Sequence, residues 1–243
     1  MAAGEPVMMR RVGILGGMGP EATILMMQKC MVVVARAATG PLDDADHIPL
    51  IVHQNPQVPS RIARLIEGRG PDPAPVLAQM ARDLAAAGAQ ALAMPCNTAH
   101  HYAGAIRAAT DLPFLDMITA SADHLVRAGV TRPGMLASPA TRMAAVFDAA
   151  FAARGLAPVW LEDEAPLLAL IRAVKAGQPV AALGPDMAAL AGAARAQGAD
   201  HLLVACTELS LLTHALPGDL PWTDSLDCLT ACIADFARAP DGG

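Results

Sequence analysis

Short apolar runs alternate along the chain with longer stretches in which apolar residues return every three or four positions. The first pattern predicts buried strands and the second amphipathic helices. Val12-Gly13-Ile14-Leu15 reads as a strand, Gly16-Gly17-Met18-Gly19 as a tight turn, and Pro20 as the first residue of a helix running to about Ala38. Ile48 to Val52 predicts the next strand. The loop Asn55-Pro56-Gln57-Val58-Pro59-Ser60-Arg61 follows, with Ser60 placed to cap a helix. Glu67 to Pro73 ends one helix and starts the next, over 74–87, which leads to a strand at 90–95. Asn97 opens a helix to about Ala109, Pro113 to Leu115 is a short strand, and Asp116 to Ala128 a helix.

The pattern then restarts. Pro133 to Ala137 is similar to the opening strand, and Ser138-Pro139-Ala140-Thr141 turns into a helix. A strand at 157–161, helices near 164–175 and 185–197, a strand ending at Cys206, a short strand over Pro221 to Asp224 and a helix over 226–237 complete the chain. Pro240 to Gly243 is expected to fray. One offset of 110 residues aligns Ala86 with Ala196, Gly88 with Gly198, Ala89 with Ala199, Leu92 with Leu202 and Cys96 with Cys206. Alternating strands and helices indicate parallel βαβ units, whose ligands bind at the carboxyl ends of the strands. The expected fold is α/β: two similar, doubly wound parallel-sheet halves with a site in the cleft between them.

Composition narrows the partners. With 54% hydrophobic residues a large core can be buried, and with 3% aromatics it is an aliphatic one. Few aromatics and a net charge of −6 without a basic cluster argue against nucleic acid and against an anionic membrane surface. No apolar run approaches the ~18 residues of a transmembrane helix, and the N-terminus lacks an apolar stretch of the signal-peptide type. Cysteines at 30, 96, 206, 228 and 232 form no disulfide framework, so a reducing, cytoplasmic setting is expected.

Both Cys96 and Cys206 end a strand and precede polar residues, Asn97-Thr98 and Thr207-Glu208. A thiol at a helix start is expected to have a lowered pKa. Two thiols on opposite faces of one carbon can remove a proton from one side and supply one from the other, which is stereoinversion without a cofactor. The plainer alternative is a pair of small apolar residues buried at strand ends. That alternative serves for Cys30 and for the Cys228–Cys232 pair. Cys96, His100 and His101 could begin a metal site, yet no further ligand stands at a recognisable spacing. Gly17-x-Gly19-x-x-Ala22 matches the dinucleotide fingerprint loosely, but His53-Gln54-Asn55 stands where an acidic residue is wanted. Only Lys29 and Lys175 are available as Schiff-base lysines, and neither has a fitting context. Amides and Arg61 in the loop after the second strand suit a carboxylate ligand.

Four segments together resemble the aspartate/glutamate racemase family, the cofactor-independent amino-acid racemases, and within it the aspartate racemase branch. They are Gly13 to Thr23, Asn55 to Arg61, Met94 to His100 and Ala205 to Glu208. The resemblance implies two α/β domains related by a pseudo-twofold, at 1–114 plus 219–243 and at 115–218. It implies Cys96 and Cys206 as acid/base residues, no cofactor or metal, a small dicarboxylic amino acid as substrate and a homodimer. The substrate site would draw on Met18, Asn55, Gln57, Arg61, Asn97, Thr98, Ala99, Thr141, Lys175, Thr207 and Glu208. Arg61 and Lys175 match the family's basic residues, expected to reach the substrate carboxylates. The chain departs from the family's pattern at Ala205, which stands for Gly, at Ser138 to Thr141, which lacks a Gly, and at Asp224-Ser225, which stands for Asp-Pro. Glu208 stands where glutamate racemases tend to have His. Two other functions use the same frame: a related isomerase or decarboxylase of a small dicarboxylic acid, and a carboxylate-binding protein without catalysis.

Overall fold

The computed structural model describes residues 9–239, so the expected fraying of Pro240 to Gly243 lies outside the described residues. β1 (Val12–Gly16) and α1 (Pro20–Ala37) open the first half, followed by β2 (Leu50–Gln54), α2 (Arg61–Leu65) and α3 (Ala74–Ala86). β3 (Ala91–Ala93) leads through a 3-10 turn at Thr98–Tyr102 into α4 (Ala103–Ala109), then β4 (Phe114–Leu115) and α5 (Met117–Arg127). The second half holds β5 (Pro133–Ala137), α6 (Pro139–Met143), α7 (Asp148–Ala152), β6 (Val159–Trp160), α8 (Ala165–Lys175) and α9 (Val180–Ala196). β7 (His201–Ala205), a 3-10 helix at Leu209–Ala215, β8 (Trp222–Asp224) and α10 (Ser225–Arg238) end it.

Two four-stranded sheets result, wholly parallel, with orders β2-β1-β3-β4 and β6-β5-β7-β8. The orders are the same order repeated, and the register repeats too: Gly13 pairs with Leu92 and Gly134 with Leu202. Gly88 and Gly198 end their helices at φ +89° and +87°, where a side chain would be strained, each under an arginine guanidinium, Arg11 and Arg132. The peptide N–H groups of those arginines donate to Gln90 and Asp200, again equivalent positions. The repeat seen in the sequence is therefore a repeat of backbone conformation and of contacts.

Helices cover both faces of each sheet, as all-parallel sheets require. In the first half Met26, Cys30 and Val34 of α1 pack with Met117 and with Leu226, Leu229 and Ile233 of α10. Leu77, Met80 and Leu84 of α3 cover the other face with Ile106 of α4. In the second half α8 and α9 cover one face through Leu170, Ile171, Met187 and Leu190. Ile118 and Leu125 of α5, with Phe147 and Phe151, cover the other. α10 follows a strand of the second sheet yet packs on α1 of the first half, so it straps the halves together. Among the described residues no helix is long and apolar enough to cross a membrane.

Some boundaries differ from the sequence reading. The second strand is shifted by two residues, so His53 and Gln54 pair with Leu15 and Gly16. The helix expected from 185 starts at Val180 and carries Pro185 inside it. Proline there removes one N–H donor, but it does not stop a helix whose Leu183, Met187 and Leu190 are buried. The segment after Cys96 begins as a 3-10 turn rather than an α-helix.

Candidate active site

The carboxyl ends of β1, β3 and β7 face one cavity between the halves, about 470 Å3 in volume. The first half lines it with the β1–α1 turn, Pro56, Val58, Ser60 and Arg61, Cys96 and Thr98. Ser138, Ile171, Lys175, Cys206, Glu208 and Leu211 come from the second. Gly17 sits at φ +91° because the turn lies directly on the Asn55 backbone, where a Cβ would fall 2.4 Å from a carbonyl carbon. That contact brings the two loops of the first half together beneath the cavity.

Cys96 and Cys206 sit at equivalent positions, each after the third strand of its sheet in sequence order, and both are free and almost wholly buried. Their surroundings differ. The Cys206 thiol donates to Glu208 Oε2 at 3.1 Å, and Lys175 Nζ donates to Glu208 Oε1. Burial pushes the Cys206 thiol well above its ordinary pKa, the Glu208 carboxylate pushes it further, and Lys175 pulls it back only in part. This overturns the expectation of a lowered pKa for Cys206: lost hydration and a facing carboxylate outweigh the positive end of a short 3-10 helix. Lys175 is itself raised; burial would lower it, but Glu208 and the two thiols favour its charged form.

Arg61 donates to the carbonyls of Pro59 at 3.0 Å, Val58 at 3.3 Å and Met18 at 3.3 Å, which fixes its guanidinium between the two loops. Ser60 caps α2 by accepting from the Ala63 N–H at 3.2 Å, as its position suggested. His100 donates from Nδ1 to the Cys96 carbonyl at 2.9 Å and accepts at Nε2 from the Met117 N–H. Both ring nitrogens are thus engaged, burial lowers its pKa, and it braces Cys96 as a neutral core residue. Among the described residues no three His, Cys, Asp or Glu side chains gather as metal ligands.

Of the candidate site residues, Met18, Arg61, Cys96, Thr98, Lys175, Cys206 and Glu208 line the cavity. The remaining candidates do not line it. Asn55 accepts from the Gln57 N–H at 3.0 Å, so these two shape the loop whose Pro56 and Val58 face inward. Asn97 is buried and donates to Ser225 Oγ at 3.0 Å. Ala99 lies in the first core, Thr207 is buried, and the Thr141 hydroxyl lies 2.7 Å from that of Thr98. Sequence reasoning missed Ser138, Ile171 and Leu211. Ser138 follows β5 as Gly17 follows β1, and Ile171 precedes Lys175 by one helical turn, so the repeat and the helix period both pointed to them.

Residues 15–233 match the model of the Asp/Glu/Hydantoin racemase family, and the chain belongs to that family. By family it is an amino-acid racemase and hence an isomerase. It is 25% identical over 222 residues to the broad specificity amino-acid racemase RacX of Bacillus subtilis (strain 168), covering 90% of this chain and 94% of RacX. An aspartate racemase from Picrophilus torridus has a similar structure, with a TM-score of 0.83 at 25% identity over 94% of each chain. An aspartate racemase homologue from Pyrococcus horikoshii OT3 shares the fold, with a TM-score of 0.74 at 20% identity over 95% of this chain and all of that one.

Proposed function

We propose that this racemase inverts an acidic amino acid, aspartate first and glutamate next, by transferring protons directly between Cα and two thiols without a cofactor. The observation that carries the reading is that Cys96 and Cys206, from equivalent strands of the two halves, open onto one cavity. One thiolate takes the α-proton, and the electron pair left on Cα spreads onto the carboxylate. The other thiol then protonates Cα from the opposite face. Burial and Glu208 keep Cys206 protonated near neutral pH, so in the resting enzyme Cys206 is placed as a proton donor. In the reverse direction Cys96 is the thiol that protonates Cα, and Glu208, already hydrogen-bonded to Cys206, receives the Cys206 proton beforehand while Lys175 balances the charge. Arg61 and Lys175 favour carboxylates in the cavity, and Thr98 with the backbone after Cys96 donates to the carboxylate next to the reacting carbon.

A second reading, a wider range of side chains, rests on three observations. Lys175 is already paired with Glu208, Val58, Ile62, Ile171 and Leu211 form an apolar wall, and the cavity exceeds what a four-carbon acid fills. The relative RacX is a broad specificity racemase by name. Proton NMR in deuterated water, with chiral chromatography of the product, separates the readings. Loss of the α-proton from L-aspartate, slower loss from L-glutamate and none from L-leucine or L-lysine support the acidic reading. Comparable loss from the neutral or basic acids supports the wider one. Cys96→Ser and Cys206→Ser are each expected to lower the rate about 10²–10⁴-fold. Binding without α-proton exchange for every amino acid would sink the catalytic reading.

We also propose residues 1–114 with 219–243, and 115–218, as its two domains, a reducing cytoplasmic setting for its free thiols, and a homodimer built on α1. α1 buries Met26, Cys30 and Val34 and exposes Ile24, Met27, Met31 and Val32 on its outer face. Its exposed ends are complementary, Glu21 in the first turn and Arg36 in the last. A second copy packed antiparallel about a twofold near Gln28 covers the apolar stripe and sets each Glu21 towards the other copy's Arg36.

A further inference from the structure

We propose that Asp224 and Ser225, neighbours at the junction of β8 and α10, are positioning residues that hold the two cysteine loops in register with each other. The proposal rests on the two-cysteine reading above and adds the device that sets the geometry between the thiols.

Each cysteine loop is gripped by one of the pair. The Cys206 carbonyl accepts from the N–H groups of Leu209 and Ser210 at 2.9 and 3.3 Å. The Ser210 hydroxyl in turn donates to Asp224 Oδ1 at 2.8 Å. On the other side, Asn97, the residue after Cys96, donates from Nδ2 to Ser225 Oγ at 3.0 Å, a contact spanning 128 residues of sequence. Two loops from different halves are thus tied to consecutive residues, whose Cα atoms are ~3.8 Å apart. Residues this close on a rigid helix start cannot move independently. The separation of the loops is then set by a peptide unit rather than by the softer packing between halves.

A third anchor comes from α1. Lys29 Nζ donates to Asp227 Oδ1 at 2.6 Å and lies 3.2 Å from Asp224 Oδ2, a charge contact outside hydrogen-bond alignment. Asp224 is wholly buried, and its Oδ1 also accepts from the Leu226 N–H at the start of α10. A helix cap needs only that last bond. The bond from Ser210 and the charge contact with Lys29 exceed what a cap requires; the first leads to the Cys206 loop and the second to α1. Where the family pattern has Pro, Ser225 fits the first helical turn equally well, and its hydroxyl is the group that reaches Asn97.

Proton transfer on opposite faces of one carbon tolerates little misplacement, so slackening one loop should slow one thiol more than the other. Primary isotope effects on kcat/KM measure this, comparing the α-protio and α-deuterio forms of each enantiomer of the substrate the enzyme racemises. Ser225→Ala, which frees the Cys96 loop, is expected to lower kcat/KM about fivefold to tenfold. Its isotope effect should rise for the enantiomer whose proton goes to Cys96 and fall for the other. Ser210→Ala, which frees the Cys206 loop, should give the opposite asymmetry. Ser225→Thr, which keeps the hydroxyl, should restore the wild-type pattern. A purely structural role would lower activity and thermal stability with isotope effects unchanged for both enantiomers. That result in Ser225→Ala and Ser210→Ala, with the rate still lowered at least about 10²-fold by Cys96→Ser and by Cys206→Ser, would overturn the brace alone. Activity within about tenfold of the parent in either cysteine variant would overturn the two-cysteine reading and the brace with it.

Discussion

Cys96 and Cys206 are the same residue type at equivalent places, yet they sit in different chemical environments. The difference traces to Glu208, which accepts the Cys206 proton in a hydrogen bond and is itself held by Lys175. Removing the carboxylate in Glu208→Gln is expected to bring the Cys206 pKa down, because a cause that raises it is lost. Lys175→Met should move it further up, since the one cation that lowers it is gone. Alkylation of Cys206 followed by mass spectrometry across a pH series reads both shifts. A midpoint that stays put in Glu208→Gln would show that burial alone sets this thiol. The motif Cys206-Thr207-Glu208 was legible, since Glu208 stands two residues from the thiol. Its partner Lys175 lies 33 residues earlier, at the end of α8, and only the packing of that helix brings the charges together.

Elements with a clear stop and start were read well, because the signals are local. Pro20 begins α1, Ser60 caps α2, and Gly88 and Gly198 end helices at positive φ. Strand ends were read less well. β2 is a partly exposed edge strand ending in polar His53 and Gln54, so pairing with β1 and not composition decided that it runs through Gln54. α1 buries one face, yet Ile24, Met27, Met31 and Val32 make its outer face apolar as well. If this stripe is the dimer contact, Met31→Lys should weaken self-association more than about tenfold while leaving the helix intact. Light scattering on eluted protein is the check: the parent chain should weigh as a dimer and the variant as a monomer at micromolar concentration. A monomeric parent, or a variant that remains dimeric, would remove α1 from the interface.

The whole molecule carries more buried thiol than its chemistry uses. Burial pushes Cys30 and Cys228 up to about 12 from an ordinary value of 9.0. Between those values the unfolded chain ionises and the folded one does not. The stability these thiols confer is therefore fully present below about pH 9 and is lost as pH rises towards 12. Each contributes roughly 1.4 kcal/mol per pH unit in that window. Urea unfolding at a series of alkaline pH values should show the decline, and Cys30→Ala should make it shallower although the mutation costs about 1 kcal/mol of packing at neutral pH. An unchanged slope in that variant would mean the thiol ionises in the folded state.

The sequence alone determined the repeat, the order of strands and helices, the glycine and serine punctuation and the two cysteine positions. These depend on side-chain period and on backbone conformation within a few residues, which any stretch of chain carries with it. The tertiary structure decided what depends on distant residues meeting. It left Asn97, Ala99, Thr141 and Thr207 off the cavity lining and put Ser138, Ile171 and Leu211 on it. It made Cys206 a high-pKa thiol where a helix start suggested a low one, because burial and the Glu208 hydrogen bond raise the thiol more than Lys175 lowers it. It also joined Asn97 to Ser225 across most of the chain. No local pattern encodes such a contact, which arises from the way α10 returns to the first half after the second sheet is complete.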